Sequence, residues 1–220
     1  MTKTLQGEAR MPRTMSREAR RQQLIDSTIE TLAARGYSRT TLTDVARAAG
    51  LSHGLVLFHF ETKERLLAET LNYLAEEYRR NWQEALAEAG NDPADQLNAL
   101  VEADFNPAIC TPSRLAAWCS FWGEAQSRPF YQEACGEKDD AYNLQLESIC
   151  QRLSDAGGYN RNARHIARVI RVTIEGTWLD LMTMVAPYSR EEALTTVRTC
   201  VALCFPDHFT PDGLIRQSAG

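Results

Sequence analysis

The segment T-L-T-D-V-A-R-A-A-G-L-S-H-G-L-V-L-F-H-F, Thr41 to Phe60, holds polar groups suited to meeting a polyanion. His53 can hydrogen-bond a base or a phosphate, and Gly54 beside it lets the backbone come close. Thr43, at the start of a short helix, offers a hydroxyl and an amide to a phosphate. Lys63, heading the next helix, adds a cation. Leu55 and Phe58 share the exposed positions with His53 and Gly54. Covalent chemistry has no comparable signature. The six cysteines (110, 119, 135, 150, 200 and 204) form no C-x-x-C pair and the four histidines are scattered, so neither a zinc site nor a cofactor is expected. Cys119 and His165 lack the sequence partners that would make them a nucleophile or a base. No catalytic residue is expected. Cys200 and Cys204, one helical turn apart, could be redox-active, but reduced core thiols are the simpler reading.

These groups need a frame, and the segment supplies one. Ala46 is small where two crossing helices press together. Gly50, four residues on, can take positive φ in a tight turn. Ser52 can accept from first-turn amides and start the second helix. Val56 points back into the angle between the helices, with Val45, Leu51 and Phe60 packing around it. Such a helix-turn-helix lays its second helix in the major groove of DNA. An αα-corner with no nucleic-acid role would use the same packing, but without the basic flank.

Around this unit the periodicity is helical nearly everywhere. The pattern predicts an all-α fold of about nine helices: 16–35, 42–49, 52–59, 63–89, 93–104, 112–126, 129–154, 161–185 and 189–204. Gly36, Gly90-Asn91-Asp92-Pro93, Asn106-Pro107, Thr111-Pro112, Gly157-Gly158 and Pro187 are the breaks. Residues 1–15 read as a mobile basic arm, 16–67 as a DNA-binding domain and 68–220 as a helical ligand-binding and dimerisation domain. The last two helices are too apolar to be left in water. Ile174, Leu181, Val197, Val201 and Leu203 suit a two-fold seam of four helices, hence a homodimer.

Charge follows the same division. Residues 1–66 hold 11 Lys and Arg against 7 Asp and Glu, and the remainder 13 against 22. A basic end on an acidic body suits one face for DNA and another purpose for the rest. The apolar content, 44% of 220 residues, is too high for a disordered chain. No window is apolar enough to span a membrane, and the first residues lack a signal-peptide core, so a cytoplasmic protein with no membrane partner is expected.

The stretch from Thr41 through F-E-T-K-E-R-L-L resembles the DNA-binding signature of the TetR family of one-component bacterial repressors. The resemblance implies a homodimer on a palindromic, double-stranded operator, with DNA contacts from Thr43, Ser52, His53, Gly54, His59 and Lys63. It also implies a ligand-responsive C-terminal bundle. One position departs: Leu57 stands where the family usually has a tyrosine whose hydroxyl binds phosphate. R-L-A-A-W-C-S-F-W (Arg114–Trp122) and I-E-G-T-W-L (Ile174–Leu179) are similar to the choline-responsive BetI subgroup. That likeness implies a small effector, a quaternary amine by analogy, and the residues are compatible with one. Trp118 and Trp122 share a helix face, Trp178 can approach from another helix, and aromatic faces hold such cations by cation–π attraction. Glu175, three residues before Trp178, is a candidate counter-charge, with Trp82, Phe105 and Tyr142 as further walls. The same spacing also describes an ordinary core stripe, and Glu175, four residues after Arg171, is equally placed to serve as its partner. Against the repressor stand two other classes: a helical small-molecule-binding protein or enzyme with an incidental corner, and an architectural DNA-binder without a ligand.

Overall fold

The computed structural model describes residues 15–123, 128–185 and 189–216. Among them are nine helices: α1 (Arg17–Arg35), α2 (Leu42–Ala49), α3 (His53–Phe60), α4 (Lys63–Glu88), α5 (Pro93–Asp104), α6 (Pro112–Trp122), α7 (Arg128–Gly157), α8 (Ala163–Thr183) and α9 (Arg190–Cys204). The all-α expectation holds. Of the basic arm only Met15 lies within the described residues.

The helix starts follow from side-chain chemistry. Ser16, Thr41, Ser52, Thr62, Asp92, Thr111, Asn162 and Ser189 each turn an oxygen onto a first-turn amide, worth about 1 kcal/mol apiece. Pro93 and Pro112 occupy first helical positions, where the missing N–H costs nothing. Two predicted ends differ by three residues or more. The helix starting at Pro112 ends at Trp122, and α7 runs to Gly157, three residues past the expected stop, before Gly158 turns with φ +64°. A two-stranded hairpin, β1 (Phe209–Thr210) with β2 (Gly213–Leu214), was not foreseen. Its strands are too short for any alternation to register, and Phe209 pins it to the core beside α9.

Leu24, Ile29, Leu32, Val45, Ala46, Val56, Phe60, Leu66 and Leu67 close the core of the first three helices against the start of α4. Each fully buried aliphatic or aromatic side chain contributes about 1.5–3 kcal/mol. The helix α4 continues through residues 67 and 68, where the domain boundary was expected, and packs on α1 at one end and on α5 and α7 further along. It is about 39 Å long at 1.5 Å per residue. The expected seam needs a correction. Ile174, Val197 and Val201 are buried inside their own chain because α8 and α9 pack on each other and on the bundle, and Leu181 is half-buried. The apolar side chains left open on these helices are Val169, Val172, Leu179 and Leu203.

Candidate DNA-binding face and effector pocket

The corner between α2 and α3 is made as its residue types require. Gly50 sits at φ 65°, ψ 33°, the left-handed region, and no atom lies within 4 Å of where its Cβ would be. Its role is therefore conformational, not a matter of space. Leu51 N–H donates to the Ala46 carbonyl at 2.9 Å and Leu55 N–H to Ser52 Oγ at 3.3 Å. Val56 and Phe60 are fully buried and fix the crossing. At the start of α2, Thr41 donates to Asp44 Oδ2 at 2.7 Å. That bond, aided by Arg35 and Arg47, holds the Asp44 carboxyl below its usual range.

The outward face of α3 carries Ser52, His53, Gly54, Leu57 and Phe58, all exposed, with Thr43 exposed on α2 and Leu55 half-buried. Two expected contacts are not brought to this face. The His59 ring is 6% exposed, edge-on to Phe58, and its Nδ1 has no hydrogen-bond partner among the described residues. Burial, then the charges of Arg17, Arg21 and Arg20, lower its pKa from the ordinary 6.5. Lys63 is turned back: its Nζ donates to the carbonyls of Tyr37 (3.2 Å) and Ser38 (3.1 Å) and lies 5.7 Å from the Tyr37 ring centre. In this arrangement it anchors the loop after α1. Arg21, which the sequence did not single out, joins three helices. It donates to the His59 carbonyl on α3 at 2.9 Å, bonds Glu69 on α4, and stacks on Phe60 at 4.6 Å.

In the C-terminal bundle an open pocket of about 490 Å³ lies against α8. Trp122 and Tyr131 form its aromatic side, Val172, Gly176 and Leu179 its apolar floor, and Asp139, Glu175, Arg168 and Arg171 its charges. Of the expected ligand residues, Trp122 and Glu175 line it. Trp178 lies behind, stacked on Trp122 at 6.5 Å with planes 7° apart, its indole N–H donating to the Asp104 carbonyl at 3.1 Å. Trp82, Phe105, Trp118 and Tyr142 do not reach it; all four are core side chains, buried by neighbouring helices.

Beneath the pocket is a polar network that helical periodicity could not reveal. Tyr78 (α4) and Tyr142 (α7) donate to the two oxygens of Asp104 (α5) at 2.6 and 2.8 Å. Arg171 (α8) donates to the Tyr78 hydroxyl at 2.7 Å and to Glu175 at 2.8 Å, with Asp139 at 3.9 Å and the Tyr142 ring 4.6 Å away. Tyr131 donates to Asp139 at 3.1 Å and accepts from the Trp122 indole at 3.2 Å. Burial pushes the Asp104 and Asp139 carboxyls up, while Arg171 and the tyrosine hydroxyls bonded to each act in the opposite direction. The spacing of Arg171 and Glu175 was visible in the sequence; the convergence of four helices on Asp104 was not.

Among the described residues no group of three His, Cys, Asp or Glu could hold a metal ion, and no helix is long and apolar enough to cross a membrane. All six cysteines are free. The neighbouring Cys204 thiol holds Cys200 below the ordinary thiol range, with Thr173 Oγ1 donating to its sulfur at 3.5 Å, whereas burial raises Cys135 and Cys150 to about 12.

Residues 24–70 match the family model for the N-terminal domain of bacterial regulatory proteins of the TetR family. Residues 93–206 match that for the C-terminal domain of BetI-type transcriptional repressors. The chain belongs to the BetI-type repressors of the TetR family. It is 28% identical over 169 residues to the HTH-type transcriptional regulator BetI of Stenotrophomonas maltophilia, covering 77% of this chain and 84% of that one. To the BetI regulator of Paraburkholderia xenovorans it is 29% identical over 193 residues, 88% and 97% of the two chains. The solved TetR transcription regulator of Haloarcula marismortui superposes with a TM-score of 0.70 at 20% identity, over 88% of this chain and all of that one, a likeness of fold. This TetR-family chain is a transcriptional regulator and not an enzyme, which sets aside the reading of an incidental corner.

Proposed function

We propose that the protein represses transcription as a homodimer on a palindromic operator and is released when a small organic cation enters the pocket beside α8. The observation that carries this reading is the double attachment of Arg171. One edge of its guanidinium bonds Glu175 at the pocket, and the other donates to Tyr78 on α4, the helix that begins beside α3. A choline-like cation would take the open face of Trp122 and the carboxylates of Glu175 and Asp139. It would compete for the acceptors that Arg171 now uses. A buried guanidinium that loses an acceptor must move or find another, and Tyr78 moves with it. At the other end of α4, Glu69 meets Arg21, which grips the end of α3.

Val169 on α8 and Leu203 on α9, which lie outside the pocket, support the homodimer, since their open apolar surface suits a two-fold partner. Two copies of α3 about 34 Å apart would then enter successive major grooves, with Thr43, Ser52, His53, Gly54, Leu55 and Phe58 of each at the DNA. The effector needs only to bind one spacing better than the other by a few kcal/mol.

The test begins with duplexes selected by the protein from a random pool. Sedimentation of the complex gives the number of chains per site, and affinity is followed against salt and against choline, betaine aldehyde and a neutral isostere. Two chains per palindrome, steep loss with salt and release by the two cations alone are expected. One chain per site removes the dimer; indifference to all three compounds removes the cationic effector.

A further inference from the structure

The outward face of α3 is short of hydrogen-bonding side chains. Beyond Ser52 and His53 at its first turn it presents Gly54, Leu57 and Phe58, with Leu57 38% and Phe58 67% exposed. In the major groove a side chain identifies a base pair by hydrogen bonds or by apolar contact. Gly54 has no side chain for either, and Leu57 and Phe58 can offer only the second. Of the four bases, thymine alone carries an apolar mark in that groove, its C5 methyl. The surroundings suit a ring held close to the duplex. The Arg17 guanidinium lies 5.8 Å from the centre of the Phe58 ring, a cation placed beside an apolar reader where a phosphate can meet it. On its other side the ring rests edge-on against the buried His59 at 5.2 Å, which restricts its swing.

We infer that Phe58, with Leu57 beside it, selects thymine in each operator half-site by enclosing the C5 methyl. The inference rests on α3 being the helix that enters the groove. It is tested with the full-length protein on duplexes selected from a random pool, replacing each thymine of the half-site in turn by deoxyuridine, which removes the methyl and keeps the pairing. Fluorescence anisotropy should show one or two thymines per half-site whose replacement weakens binding about fourfold, the worth of one buried methyl group. Phe58→Ala should bind the thymine and uracil forms alike, and Phe58→Leu should retain part of the difference. Both variants should keep the wild-type circular dichroism, because the side chain is exposed. Selected half-sites without thymine, wild-type indifference to uracil at every position, or a Phe58→Ala variant that still senses the methyl would each overturn the inference. Failure to select any duplex would instead strike the placement of α3 itself, before any uracil is introduced.

Discussion

His59 and Arg171 show how a side chain can look suited to ligand binding and be committed elsewhere. The His59 imidazole is buried among aromatic rings and near arginines, and its pKa is lowered from 6.5. The folded chain therefore resists a proton that the unfolded chain accepts. Stability from this group is complete above pH 6.5 and is lost as pH falls through the lowered value, by at most about 1.4 kcal/mol per pH unit. Thermal unfolding between pH 7 and 5 should show that decline, and His59→Phe should flatten it. Tyr78→Phe removes the hydroxyl joining Asp104 to Arg171 and leaves buried partners unsatisfied. It should cost about 1–3 kcal/mol in denaturant titration. On the proposed mechanism, operator affinity without effector stays near wild type while the effector's power to weaken it falls several-fold. A variant still fully released would detach Tyr78 from the response.

Among the helices, those easiest to infer were bounded by short-range chemistry. Ser or Thr beside a first turn, Gly at a stop and Pro at a first position act within four residues, so α2 and α5 fall where periodicity puts them. Surface and interior faces were harder to assign. Ile174, Val197 and Val201 share the apolar character of Val169 and Leu203, and only the packing of α8 on α9 decides which group stays open. The network around Asp104 draws on residues from 78 to 171, a range that no local window spans. At the corner, where local chemistry does decide, Gly50→Val forces a β-branched residue into the left-handed region. That costs about 1–2 kcal/mol or more and tilts α3. Operator binding should vanish in anisotropy measurements while sedimentation still reports the wild-type oligomer. Gly50→Asn, which tolerates that conformation, should retain most of the affinity.

Taken as a whole, the chain keeps its basic surplus at one end and its acidic surplus at the other, and the proposed dimer would set two basic ends side by side. Leu203, 72% exposed, contributes little to the fold of its own protomer. If it lies in the seam, Leu203→Asp removes one buried leucine from each side. By symmetry this weakens association by roughly 10²–10⁴-fold, and sedimentation should show monomers with unchanged helical content. A stable dimer of that variant would move the interface off α9. The unequal setting of the four tryptophans has a practical consequence. Trp82, Trp118 and Trp178 are shielded from water, whereas Trp122 is 37% exposed at the mouth of the pocket and stacked on Trp178. A molecule settling there dries one indole and leaves the other three as an internal standard, so the protein carries an optical gauge of its own occupancy.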